Sequence, residues 1–184
     1  ILGDNFFHWD DSREAIYSEQ SLEGAKIYGY KVANPSEYGV IELDSSGKPL
    51  SIEEKPSQPK SNIAVTGLYT FDKTVAAIAK NVQPSKRGEL EITSVIDSYL
   101  QNGNLVLEML PKGTAWLDTG TFESLMQAGM YVETIEQRQG IKIGCIEEIA
   151  YQNGWINRDQ VLKFAQKHKK TNYGTYLTKL TKND

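Results

Sequence analysis

Ile52-Glu53-Glu54-Lys55-Pro56, followed by Ala64-Val65-Thr66-Gly67-Leu68-Tyr69, is the stretch on which the fold turns. Pro56 disfavours the α region for Lys55, so residues 53–55 read as the charged end of an extended segment that begins near Pro49. Residues 64–71 read as a second strand, apolar enough to be buried, and Gly67 lets a ligand or another backbone come close to it. A carboxylate suited to sugar hydroxyls, an ammonium suited to phosphate and a strand floor beneath them would make a sugar-phosphate site. Taken alone, the same residues also fit a charged strand end at the surface.

Working outward, the flanking residues supply the rest of a sheet. Ile27, Tyr28, Tyr30 and Val32 suit a strand within residues 24–33, and residues 38–43 suit another. Asp44-Ser45-Ser46-Gly47 turns the chain back into residues 49–54. Asp72 can cap a short helix through Lys80, with Val75, Ile78 and Ala79 on its apolar face. A longer helix is expected from Glu89 to about Gln101, with Leu90, Ile92, Val95, Ile96 and Leu100 inward and Asn102-Gly103 as its stop. Residues 105–110 read as a strand, and residues 114–121 as a strand end and turn. Thr121 then caps a helix running to about Gln139. In the tail, Asn157 can cap a helix to Lys167, and residues 173–180 suit one more short helix. Upstream, Ile1 and Leu2 read as the end of an apolar strand, Gly3-Asp4-Asn5 as a turn away from it, and residues from Asp11 as weakly helical.

Composition narrows the chemistry. The 184 residues fit one domain with a sizeable core, spanning 1–184 with a helical tail from about residue 141. The net charge is -4 and there is no basic block, which argues against nucleic acid. No apolar run is long enough to span a bilayer, so the expected setting is the cytoplasm. Cys145 is the only cysteine, and His8 and His168 are the only histidines. A disulfide framework, a zinc cluster or a serine triad is therefore not expected. Asp4 and Asp118, both at expected strand ends, are hard oxygen donors of the kind that suit magnesium. Lys55 offers a point charge and Arg87 a fork for phosphate. Glu54 can accept from sugar hydroxyls. Trp116 can cover a sugar face or fill core. Spacing alone does not bring these groups together.

An ordered set of motifs does more. Gly3-Asp4-Asn5, Tyr38-Gly39-Val40, Glu53-Glu54-Lys55-Pro56, Ala64-Val65-Thr66-Gly67-Leu68-Tyr69, Arg87-Gly88-Glu89-Leu90-Glu91-Ile92-Thr93 and Trp116-Leu117-Asp118-Thr119-Gly120 follow one another. In that order the chain resembles the bacterial glucose-1-phosphate thymidylyltransferases, or dTDP-glucose pyrophosphorylases, over nearly its whole length. The resemblance implies an α/β fold, a Rossmann-like three-layer nucleotidyltransferase sandwich with a mixed sheet. It implies transfer of a nucleotidyl group from dTTP to glucose 1-phosphate, giving dTDP-glucose and pyrophosphate. At the matching positions, Asp4 and Asp118 would hold Mg2+, and Lys55 and Arg87 the sugar phosphate. Glu54, Gly39 and the backbone at Val65 would bind glucose, with Tyr38, Tyr69 and Trp116 lining the pocket. The implied assembly is a homo-oligomer, a tetramer in that family.

The chain also departs from the family pattern. The family's N-terminal glycine-rich loop, its basic residues for the triphosphate and its base-reading segment have no counterpart here. The expectation is a C-terminal portion, beginning inside a larger domain and inactive by itself. His8-Trp9 stands where the family carries Tyr-Gly-His, which bears on regulation. A second reading is a non-catalytic sugar-phosphate-binding or assembly subunit of the same fold.

Overall fold

The structure, a computed structural model, describes residues 1–9 and 22–182. The helical character expected from Asp11 onward lies outside the described residues. Contacts divide the chain into two compact units, Ile1–Thr121 and Phe122–Asp184.

The first unit is an α/β unit built on a mixed sheet. Its strands are β1 (Asn5–His8), β2 (Ala25–Lys31), β3 (Gly39–Leu43), β4 (Pro49–Glu54), β5 (Ile63–Phe71), β6 (Leu105–Met109) and β7 (Ala115–Asp118). Among the described residues, five of them form one sheet in the order β4-β3-β5-β2-β6, and β1 pairs with β7 as a separate ribbon. β2 and β6 run parallel, whereas β2–β5, β3–β5 and β3–β4 are antiparallel. The β3–β4 hairpin closes on Asp44, whose carboxylate accepts from the backbone N–H of Ser46 and of Lys48. That aspartate is the turn former the sequence led us to expect.

Helices α1 (Val75–Ala79) and α2 (Ile92–Gln101) cover one face of the sheet. Alternation along the strands sends Ile27, Ile63 and Val65 to the α2 side, where they meet Ile41 and Ile96. Each such aliphatic side chain, fully buried, contributes roughly 1.5–3 kcal/mol. Asp72 does not cap α1 directly. Its carboxylate accepts from Thr74, Gly24 and Tyr99, tying the end of β5 to the start of β2 and to α2. The Thr74 bonds, then Gly24, hold the Asp72 carboxyl down to about 2.

Three expectations are corrected. Ile1 and Leu2 form no strand and are exposed; the strand follows the turn, as β1, because its partner β7 offers hydrogen bonds only from Ala115 to Asp118. Leu90 is 69% exposed, since α2 begins only at Ile92 and its buried face is Thr93, Val95, Ile96 and Tyr99. Ala79, expected on the apolar face of α1, is exposed, because the helix ends there after five residues.

The second unit comprises α3 (Phe122–Gln139), α4 (Ile146–Gln152), α5 (Arg158–Lys167) and α6 (Asn172–Leu180). The first of these is the helix expected after Thr121, and the other three lie in the tail from about residue 141. Cys145, Val161, Ala165 and Leu177 form its core. Asn157 and Gln160 make a reciprocal capping box at the start of α5, and the Thr171 hydroxyl accepts from Gly174 N–H at α6. Among the described residues, no helix is long and apolar enough to cross a membrane.

Candidate active site

A cleft of about 210 Å3 opens in the first unit. Six separate segments build it, one of them α2 with Ile92, Thr93 and Ile96. The turn before β1 brings Asp4, and β7 brings Trp116 and Asp118. The lead-in to β3 brings Tyr38 and Gly39, the end of β4 brings Glu54 and Lys55, and β5 supplies Val65, Gly67 and Tyr69 as the floor. Of the residues the sequence singled out, Asp4, Tyr38, Gly39, Glu54, Lys55, Val65, Tyr69, Trp116 and Asp118 all line this one cavity. Arg87 does not.

The β1–β7 ribbon aligns the two aspartates. Asn5 stands opposite Asp118 in the ladder, and the Asp4 carbonyl accepts from both Thr119 N–H at 2.7 Å and Thr119 Oγ1 at 2.8 Å. Gly120 N–H donates to Asp118 Oδ1 at 3.0 Å. A Cβ added to Gly120 would lie 3.2 Å from Asp118 Oδ1 and 3.8 Å from Asp4 Oδ2, so the two carboxylates flank one point that glycine keeps open. Two oxygen-donor side chains at one corner fit magnesium, which retains water and phosphate oxygens in its other positions. Among the described residues, no group of three or more metal-ligating side chains exists.

On the opposite side, the β3–β4 register pairs Gly39 with Glu54, and Lys55 N–H donates to the Tyr38 carbonyl at 3.0 Å. Lys55 has φ 43°, the single non-glycine residue with positive φ among those described. A β-strand ending in a left-handed lysine is strained, by about 1–3 kcal/mol for such conformations, and it turns the strand end at the cleft. Pro56 explains why Lys55 leaves the helical region, but not why it takes this sign of φ. A Cβ on Gly39 would meet Thr93 Cγ2 at 2.9 Å and Glu54 Oε2 at 3.2 Å, so a side chain there would have to displace Thr93.

Burial raises the Glu54 carboxyl above the ordinary range and the Glu91 carboxylate adds to the rise, while Lys55, Thr93 and Arg87 oppose it. Burial pushes the Tyr69 phenol far up, with Glu54 and then Asp4 contributing. Tyr69 therefore feels both sides of the cleft. Trp116 is both wall and core: it is 9% exposed and sits within 5.1 Å of the Tyr38 ring and 5.5 Å of the Tyr30 ring, centroid to centroid.

Arg87 lies beside an adjoining cavity that shares Glu54 and Thr93 with the cleft. Its guanidinium is 3.1 Å from Glu89, 3.2 Å from Glu91 and 3.8 Å from Glu54. Three carboxylates hold it at the wall, whereas Lys55 lines the cleft itself.

Sequence reasoning passed over Asn5, Thr93 and Ile92 as cleft residues and assigned Gly67 an approach by backbone or ligand. Gly67 takes both a backbone and a side chain: its carbonyl accepts from Leu2 N–H at 2.8 Å, and its N–H donates to Asn5 Oδ1 at 3.0 Å. The Gly-Asp-Asn motif was the available signal for Asn5.

Comparison with known proteins identifies the family. The sequence model of the nucleotidyl transferase family matches residues 1–135. The chain is 50% identical over 179 residues to a glucose-1-phosphate thymidylyltransferase of Mycolicibacterium smegmatis, covering 97% of this chain and 62% of that protein. It is 48% identical over 180 residues to the enzyme of the same name from Mycobacterium tuberculosis, covering 98% and 62%. A crystal structure from Bacillus anthracis, assigned as a glucose-1-phosphate thymidylyltransferase in complex with sucrose, superposes with a TM-score of 0.61 at 40% identity. That match covers 71% of this chain and 52% of the other. The chain thus spans about 62% of the length of the curated relatives it matches.

Proposed function

This chain belongs to the nucleotidyl transferase family, and from that premise we propose that it carries the sugar-phosphate and metal side of a glucose-1-phosphate thymidylyltransferase. The reaction is an in-line displacement. A phosphate oxygen of glucose 1-phosphate forms a bond to the α-phosphorus of dTTP. The bond from that phosphorus to the bridging oxygen breaks, and pyrophosphate leaves with its electron pair. The products are dTDP-glucose and pyrophosphate.

The chain's own residues bind and orient. Lys55 holds the sugar phosphate as a point charge at the cleft mouth, and Arg87 joins it after exchanging a carboxylate partner for phosphate. Glu54 accepts from glucose hydroxyls, with the Gly39 and Val65 backbone beside it. Tyr38, Tyr69 and Trp116 wall the sugar in and exclude water. Asp4 and Asp118 hold magnesium, which when bound neutralises charge on the reacting phosphates. Orientation of the two reactants is worth up to about 7–11 kcal/mol of barrier, so rigid positioning is the main work of these side chains. We place the protein in the cytoplasm as a homo-oligomer, which suits a consumer of dTTP and a sugar phosphate.

The observation that carries the reading is the convergence of nine separately identified residues on one cavity of about 210 Å3. The test is pyrophosphate release by the full-length protein that contains this chain, given dTTP, glucose 1-phosphate and Mg2+. Turnover dependent on all three is expected. Absence of turnover, or equal turnover without glucose 1-phosphate, would overturn it.

A further inference from the structure

One cleft residue with no part in the scheme above bonds to three regions of the site at once. Asn5 Oδ1 accepts from the Trp116 indole Nε1–H at 2.7 Å and from Gly67 N–H at 3.0 Å, and Asn5 Nδ2 donates to Asp4 Oδ1 at 2.9 Å. The orientation of the amide follows from its partners. An indole N–H and a backbone N–H can only donate, so both must face the oxygen, and the NH2 group must face the carboxylate. Gly67 is shaped to this side chain, because a Cβ there would lie 2.5 Å from Asn5 Oδ1.

We propose that Asn5 is a positioning residue that couples the carboxylate corner of the cleft to its aromatic wall, through simultaneous bonds to Asp4 and Trp116. The proposal rests on the roles assigned above to Asp4 and Trp116. The main chain of Asp4 is already fixed by Thr119, which leaves its side-chain torsion to be set by the Asn5 amide. The same amide sets the tilt of the indole ring between Tyr30 and Tyr38. Moving either group strains the other through one planar, rigid linker. Removing the amide leaves the indole N–H without its acceptor in a largely buried wall, a cost that favours rotation of the ring. Asn5 touches neither phosphorus nor nucleophile in this scheme, so its effect is transmitted through its neighbours.

The experiment compares Asn5→Ala, Asn5→Asp, Trp116→Phe and the Asn5→Ala/Trp116→Phe double variant in the full-length protein. The Trp116 indole N–H resonance is identified by its loss in Trp116→Phe. Asn5→Ala should shift that resonance and speed its exchange with solvent. It should also raise both the KM for glucose 1-phosphate and the Mg2+ concentration for half-maximal rate by about tenfold, the scale of a lost hydrogen bond at each end. Asn5→Asp keeps the accepting oxygen and hence the contacts to Trp116 and Gly67. It should leave the resonance and the sugar KM near wild type and change the Mg2+ requirement alone. Trp116→Phe should raise the sugar KM alone, and adding Asn5→Ala to it should add the Mg2+ effect with little further sugar loss. An unmoved indole resonance in Asn5→Ala overturns the proposal, as do a Mg2+ requirement unchanged in both Asn5 variants and additive sugar losses in the double variant. If the wild-type protein shows no transfer, the functional reading fails by itself. The indole resonance and calorimetric Mg2+ binding, weaker in Asn5→Ala, then still decide the role of Asn5.

Discussion

The two compact units differ in what their polar side-chain bonds hold in place. In residues 1–121, the bonds that shape the cleft join distant parts of the chain: Trp116 to Asn5, Gly67 to Asn5 and Thr119 to Asp4. Asp4 and Asp118 take part in no ion pair among the described residues. In residues 122–184, several acids accept hydrogen bonds from within the helical unit. Lys142 donates to Glu136, Tyr173 to Glu147 and Tyr176 to Glu148. Burial, followed by the hydrogen bond to Glu148, drives the Tyr176 phenol far above its ordinary value, as expected of a proton that is permanently donated. The second unit uses these bonds to hold its own helices together. The first lines one cleft with two aspartates that have no ion pair among the described residues and, on the opposite side, a strained lysine.

That contrast can be broken at the metal corner first. Asp118→Asn in the full-length protein should lower kcat by about 100-fold or more, because charge stabilisation needed mainly in the transition state is lost. Its thermal midpoint should hold or rise, since an uncompensated charge is removed. Near-wild-type turnover at saturating Mg2+ would erase the distinction between the units.

Lys55 gives the next largest effect and tests strain directly. Lys55→Gly removes a charge-assisted bond worth about 1.5–3 kcal/mol, so glucose 1-phosphate should bind roughly 10- to 100-fold more weakly. Because glycine accepts positive φ without cost, the same variant should unfold at an equal or higher temperature. Lower stability with unchanged sugar binding would reverse both assignments.

Gly67→Ala sharpens the contrast from the floor of the cleft. The added methyl meets Asn5 Oδ1 and must displace it, at a cost of about 1–3 kcal/mol typical of overpacking. Denaturant titration reports the loss of stability, and the Trp116 fluorescence should change with it. A variant with wild-type stability and spectrum would show that Asn5 yields freely.

The smallest effect belongs to the helical unit. Asn157→Ala removes the capping box of α5 and should cost about 0.5–2 kcal/mol. Thermal melting measures that loss, and KM for glucose 1-phosphate should stay within twofold of wild type, well below the roughly tenfold expected of a lost contact at the ligand. A large change in sugar affinity would mean that the second unit takes part in the site.

Much of this was legible from sequence because it is local. Apolar and aromatic residues marked β2, β3, β5 and β6, the Asp44–Gly47 turn marked the hairpin and its return strand β4, and Asn157 marked the start of α5. The charged end of β4 and the glycine in β5 do line one cleft, and the ordered motifs pointed to the family. The failures were local too. Ile1 and Leu2 looked like strand because apolar side chains favour burial, yet pairing depends on where a partner strand ends. Leu90 fell on the right helical face of a helix that starts two residues later.

Sequence by itself determined which residues carry charge and which segments can extend or coil. Tertiary structure decided which of those charges meet. It put Lys55 at the cleft and held Arg87 against Glu54, Glu89 and Glu91, although both cations read alike in the sequence. It made Asn5, an ordinary turn residue on paper, the link between neighbouring Asp4 and Trp116, which lies 111 positions from Asn5 along the chain. The reason is that electrostatic and hydrogen-bond energies depend on distance in space, which spacing along the chain fixes only within a single helix, strand or turn.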